Sequence, residues 1–187
     1  MTTIEVQWIS RAACGLPPAP LDKMEPRPAN VHLFGTTVHY TDTPDGVDPL
    51  QQWRQIHDEA VNGGLADRYV DTPYNAGAAR LRPGVGAVLD GRPNGVIGAH
   101  ARPFPVPGRP EWVDVPNLYT LGIAIVGTNP TPEALAAIKA YLYVANVGLH
   151  APFIFPHSFW DPTACPGDPV RTFLIDLHSP FVHLVDR

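Results

Sequence analysis

The chain has 187 residues, 44% hydrophobic and 17% charged, enough for one globular domain with a substantial core. Its formal net charge of −5 gives nucleic acid no basic face to bind, and no apolar run approaches the roughly 20 residues a membrane span needs. The 23 prolines and 16 glycines predict long surface loops, and the opening MTTIEVQWIS shows no basic segment followed by an apolar signal stretch.

Residues 1–30, rich in Pro and Ala, read as an extended arm lying on a domain that spans 31–187. TTVHYT, 36–41, alternates and is β-branched, so it predicts a strand, and DTPDG after it predicts a turn. The first helix follows in DPLQQWRQIHDEAVNGG. Asp48 is its cap, Pro49 its first turn, Leu50, Trp53, Ile56 and Ala60 its apolar stripe, and Gly63 or Gly64 its end. YVDTPYNAGAARL and VGAVLDG suggest short strands around a turn, and 92–118 suggests a Pro-rich loop. YTLGIAIVG, 119–127, is apolar at nearly every position, which predicts a central, buried strand. A second helix is capped by Thr131, with Pro132 and Glu133 in its first turn and Leu135, Ile138, Leu142 and Ala145 facing inward. A short strand, FIF, then leads into PHSFWDPTACPGDP. Strands alternating with helices of this length imply an α/β domain, a central sheet with helices packed on it.

That last stretch places His157 eight positions before Cys165 in a loop stiffened by Pro162, Pro166 and Gly167. Imidazole and thiolate are zinc ligands, and a catalytic zinc takes three from the protein and leaves a fourth position for water. His39, at the end of its predicted strand, is the best third candidate. Each residue also has an ordinary explanation. A histidine on a strand is commonly a packed core residue, and a cysteine a small buried apolar group. Cys14 and Cys165 are the only cysteines, so one disulfide is formally available. A structural zinc site fits poorly, because no Cys-x-x-Cys spacing is present.

Six segments, in order from about residue 8 to about 176, resemble peptidoglycan recognition proteins and type 2 N-acetylmuramoyl-L-alanine amidases. WISRAACGLPPAP resembles their SRxxWGxxPP opening, VHYT their IHHT, and DTPYNAG their DIGYNF. DGRPNGVIGAHA is similar to DGxxYEGRGxxxxGAHA, NLYTLGIAIVGTNPTPEAL to NxxSIGIAxxGNxxxxxPTxxQL, and PHSFWDPTACPG to GHRDVxxTxCPG. The resemblance implies a central mixed β-sheet flanked by helices, with zinc held by His39, His157 and Cys165. It implies Tyr74 and Thr163 as catalytic groups beside the metal. His100 and Asn117 fall at positions near the family's groove, and Trp160 beside the metal loop is a candidate sugar-stacking side chain. The implied reaction is zinc-assisted hydrolysis of the amide joining the lactyl group of N-acetylmuramic acid to L-alanine in peptidoglycan.

Departures from the pattern are Cys14 for the opening Trp, Tyr40 for the second His of IHHT, and Ser158 for the GHRD arginine. Ala124 stands where one branch has a glutamate, and RPNG replaces YEGR. None removes an implied zinc ligand. The alternatives are a recognition module that binds peptidoglycan without cutting it, and an unrelated zinc hydrolase acting on another amide. The implied partner is peptidoglycan, met by a monomer. With no signal segment or wall-targeting repeat visible, the expected setting is a bacteriolytic phage endolysin domain made in the host cytoplasm and acting on the cell wall, or one domain cut from a longer protein. Only Lys23 and Lys139 of the 13 basic residues are lysines, an association with GC-rich actinobacterial hosts and their phages.

Overall fold

A computed structural model describes residues 3–63, 69–101, 115–177 and 183–184. Among the described residues, seven strands form one mixed sheet: β1 (Glu5–Ile9), β2 (Gly35–Tyr40), β3 (Ala76–Arg82), β4 (Val85–Asp90), β5 (Thr120–Ile125), β6 (Phe153–Pro156) and β7 (His183–Leu184). Their spatial order is β1-β4-β3-β5-β2-β6-β7. Only β3 and β4 are antiparallel neighbours; β5, β2 and β6 run parallel side by side. The helices are α1 (Pro49–Asn62), α2 (Val115–Tyr119), α3 (Pro132–Leu149) and α4 (Asp168–Asp176).

The predicted central strand is the fourth of the seven and is buried along its whole length. Its side chains divide between the two faces with the strand period of two. Leu121, Ile123 and Ile125 join Val38 of β2 on one face. There they meet Ala134, Ala137, Ile138 and Leu142 of α3 and Val170 and Leu174 of α4. The opposite face receives α1, whose Trp53 packs with Cys14, Leu16, Ala79, Ala87 and Leu89. The caps are the predicted ones. Asp48 accepts from the Gln51 N–H at 2.8 Å, and Thr131 from the Ala134 N–H at 3.2 Å. Within α3, Leu135 is only partly buried and Tyr141 takes a buried place instead.

Three parts of the fold differ from the sequence expectations. The arm is not merely laid on the domain: Glu5–Ile9 pairs in parallel with Val85–Leu89 and forms an edge of the sheet. The short α2 occupies the end of the expected Pro-rich loop, whose middle, 102–114, lies outside the described residues, as does Gly64. α4 follows the metal-loop candidate directly. Its start is marked by Asp168 and Pro169 in the first turn, and its buried Val170 and Leu174 stand one turn apart. Both cysteines are buried free thiols, Cys14 under α1 and Cys165 at the other motif. No helix among the described residues is long and apolar enough to cross a membrane.

Candidate metal centre

Parallel pairing brings the separated motifs together. β2 and β6 are parallel neighbours, so residues leaving their ends emerge at the same edge of the sheet. His39 is the penultimate residue of β2, and His157 begins the 3₁₀ turn that follows β6. Their ring centroids are 4.3 Å apart. Cys165 returns from the loop beyond. One ligand atom from each of His39, His157 and Cys165 lies within 4.8 Å of the other two.

Backbone hydrogen bonds lock the segments that carry the three candidate ligands to one another. The Tyr40 N–H donates to Cys165 Sγ at 3.3 Å, tying the end of β2 to the loop. The Ser158 N–H donates to the Cys165 carbonyl at 2.9 Å, tying the His157 turn to the same residue. Thr163 Oγ1 accepts from the Cys165 N–H at 3.2 Å. The floor beneath is cut from small residues. In register with His39 stand Ala124 of β5 and, beyond it, Gly77 of β3. A Cβ on Gly77 would come within 3.0 Å of the Trp53 ring. Ala124, at the position where the resembled family has a glutamate branch, is fully buried beside His39 and adds no charge.

Burial sets the protonation of the group. The His39 pKa is held well below the usual imidazole value by burial first, then by the neighbouring His157 and His100. Burial likewise lowers the His100 pKa to about 3, against a partial offset from its hydrogen bond to Thr120. Both rings are therefore neutral, and His39, the one of the two that belongs to the converging group, keeps the lone pair a metal requires. The Cys165 thiol is pushed up to about 12 by burial, with Asp42 adding to the rise and the Tyr40 N–H opposing it. The donor set thus fits a metal ion of intermediate softness: two imidazoles and one thiol that becomes a ligand by giving up its proton.

The other expected site residues fall into two groups. Tyr74 is half-buried, with its ring 5.1 Å from that of His39 and stacked on Trp53 at 6.4 Å. Its phenol pKa is raised, chiefly by burial and then by Cys165 and Tyr69. Thr163 stands half-buried next to Cys165. His100, Asn117 and Trp160 lie differently from the substrate-contacting places expected of them. His100 is 5% exposed and its Nδ1 is 3.2 Å from His39 Nε2. Asn117 spends its amide on Ala101, accepting from its N–H at 3.0 Å and donating to its carbonyl at 2.5 Å. Trp160, 1% exposed, packs on Phe155 and Phe159 and donates Nε1–H to Thr37 Oγ1 at 2.9 Å. A ring so enclosed has no face to offer a sugar. A cavity of about 580 Å³ lined by residues including Asp45, Arg80, Arg82 and Asn129 shares no residue with the centre.

Sequence inspection overlooked the residues that hold Tyr74 in place. Asp71, fully buried, accepts from Arg11 Nη1 at 3.0 Å and Nη2 at 2.6 Å and lies 3.4 Å from His57 Nε2. Asn75 exchanges backbone and side-chain hydrogen bonds with Gly122, each at 2.8 Å. Both were visible as letters of the DTPYN segment, and Arg11 as a letter of the opening motif. Two of the segments that carry the resemblance are therefore in direct contact.

This sheet, with its flanking helices and the motif edge just described, is the peptidoglycan recognition protein fold. The sequence matches no protein-family model and no curated protein. Solved structures do match. The ectodomain complex of peptidoglycan recognition proteins LCa and LCx, bound to tracheal cytotoxin, superposes with a TM-score of 0.72 at 16% identity, over 96% of this chain and 98% of that one. Drosophila peptidoglycan recognition protein LB gives 0.64 at 20% identity, over 97% and 98%. Peptidoglycan recognition protein LE, in complex with tracheal cytotoxin, a monomeric diaminopimelic acid-type peptidoglycan, gives 0.66 at 19% identity, over 98% and 97%.

Proposed function

We propose that this protein is a zinc-dependent N-acetylmuramoyl-L-alanine amidase, which cuts the stem peptide of peptidoglycan from its sugar. The convergence of His39, His157 and Cys165 within 4.8 Å carries this reading. Two neutral imidazoles and one thiolate match the zinc donor types and leave the ion a net positive charge and an open position. Zinc in such a set supplies Lewis acidity toward the scissile carbonyl and makes water a competent nucleophile near neutral pH. The structures of neighbours bound to tracheal cytotoxin support peptidoglycan as the substrate class.

The chain's own residues supply the rest. Tyr74 is protonated at neutral pH as an ordinary phenol is, and burial raises its pKa further, so it is a hydrogen-bond donor throughout the working range. Thr163 Oγ1 accepts from the Cys165 N–H, which leaves the hydroxyl proton for a substrate oxygen. These two donors stabilise the negative charge that develops on the carbonyl oxygen. In the overall hydrolysis the C–N bond breaks and the oxygen of water stays on the lactyl carbon. The products are a lactyl carboxylate and the free amine of L-alanine. Tyr74→Phe is expected to bind zinc as the parent does and to lose about 100- to 1000-fold in kcat, the usual effect of deleting one such donor. Zinc titration beside a steady-state assay checks both halves.

Zinc uptake also has a predictable pH dependence. The free Cys165 thiol is protonated below a pKa of about 12, and the ligand is the thiolate, so each binding event releases one proton. His39 is already neutral and releases none. Apparent zinc affinity is expected to rise about tenfold per pH unit from roughly pH 7 to 9, measured by chelator competition in buffers of fixed ionic strength. A flat profile would show that Cys165 is not the ligand.

The deciding assay incubates the zinc-loaded protein with purified muropeptide and follows the new L-alanine amine, with and without chelator. Chelator-sensitive release is expected. Binding without release would make the protein a recognition module.

A further inference from the structure

The hydrogen bonds behind His39 determine which of its nitrogens faces the metal. The Thr120 carbonyl has no proton to give, so His100 Nε2, 3.3 Å away, donates to it. The Thr120 hydroxyl, also 3.3 Å from that nitrogen, sends its own proton to the Pro116 carbonyl at 2.6 Å and can only accept from His100. His100 Nε2 therefore carries the proton. The ring is buried, and no described carboxylate hydrogen-bonds to it, so it holds one proton and its Nδ1 is a bare lone pair. His39 Nε2, 3.2 Å from that lone pair, must be the donor. A neutral His39 has spent its proton there, and its Nδ1 is left to bind.

We propose that His100 is a positioning residue that fixes His39 in its Nε2-protonated tautomer and so presents Nδ1 to the metal. This rests on the zinc reading above and deepens it. A hydrogen bond to the outer nitrogen of a ligating histidine orients the ring and raises its basicity. The surroundings are built for His100. Gly122 leaves the hollow in which its ring lies: a Cβ there would sit 2.5 Å from His100 Cγ. Asn117 clamps Ala101, the next residue, from both sides. Trp160 donates to Thr37 Oγ1, which lies 3.0 Å from Thr120 Oγ1; with the Thr120 proton committed to Pro116, Thr37 donates to Thr120. Each bond in this chain has one permitted direction. His100, Asn117 and Trp160 thus serve the back of the metal centre.

The test begins with the metal-free parent, labelled with ¹⁵N at histidine. Long-range ¹H–¹⁵N correlations report which imidazole nitrogen is protonated. The expected result is His39 and His100 both protonated on Nε2; a proton on His39 Nδ1 overturns the proposal. Zinc affinity is then compared across variants whose fold is verified by circular dichroism. His100→Ala is expected to weaken binding by about 10- to 100-fold, the usual cost of losing an outer-shell partner. His100→Asn, whose side-chain oxygen stands in for the acceptor, recovers most of it. Gly122→Ala, which touches no ligand, weakens it by displacing the His100 ring. Binding by folded His100→Ala within twofold of the parent overturns the proposal. If the parent binds no zinc, the amidase reading fails, and the tautomer measurement still decides the role of His100.

Discussion

Cys165→Ser is expected to fold like the parent and to lose zinc and cleavage together. The serine hydroxyl can still accept from the Tyr40 N–H, and its backbone keeps the bonds to Thr163 and Ser158. The loop should hold its shape, at a stability cost of about 1–2 kcal/mol for a polar group in a buried place. Ligation changes far more. A serine hydroxyl does not ionise in the accessible pH range and cannot replace the charge of a thiolate. With two imidazoles left, zinc affinity should fall more than about 1000-fold, well beyond the 10- to 100-fold typical of losing an outer-shell partner. Competition against a calibrated chelator and the muropeptide assay measure the two losses. If the variant releases stem peptide at the parental rate, Cys165 is not a ligand that the chemistry needs, and the zinc site built on it falls. Muropeptide binding that survives while cleavage is lost would separate recognition from catalysis within one protein.

Asp71→Ala is expected to be the most damaging substitution away from the metal. Its carboxylate is fully buried, accepts two bonds from Arg11 and one from the Thr72 N–H at 2.8 Å, and faces His57. Removing it leaves a guanidinium with little access to water opposite an empty hollow. Breaking a buried pair in this way costs about 3–5 kcal/mol, a large share of the 5–15 kcal/mol that holds a typical domain. Urea unfolding followed by tryptophan fluorescence gives the value. The loss should be smaller in the double variant Arg11→Met, Asp71→Leu, which removes both charges together. A cost below about 1 kcal/mol for Asp71→Ala would mean that the pair does not anchor the arm. The effect should reach the centre as well, because Tyr74 lies three residues beyond Asp71 on the same segment.

What could be read in advance depended on the range of the signal. α1 and α3 carry caps and periodic faces within their own residues, and β5 carries its burial as an unbroken apolar run. β1 has no such mark. EVQWI is partly exposed, and only its parallel pairing with β4, some 80 residues on, makes it a strand. The three candidate ligands were legible because residue type and motif order picked out side chains that the structure brings within 4.8 Å of one another. Their support was not. His100 looked like a groove residue because the sequence does not reveal that Gly122 makes room for its ring. Trp160 looked like a sugar platform because nothing in the sequence says that Thr37 takes its N–H. Ring stacking and hydrogen bonding both suit a tryptophan, and only tertiary context chooses between them.

The common direction of β2, β5 and β6 has a practical side. The segments that follow β2 and β6 leave the sheet at the edge where His39, His157 and Cys165 meet. His157 and Cys165 stand in the exit of β6 itself and only His39 sits within a strand, so sequence drift at this edge that spares those three can vary what approaches the site while the group they form is kept.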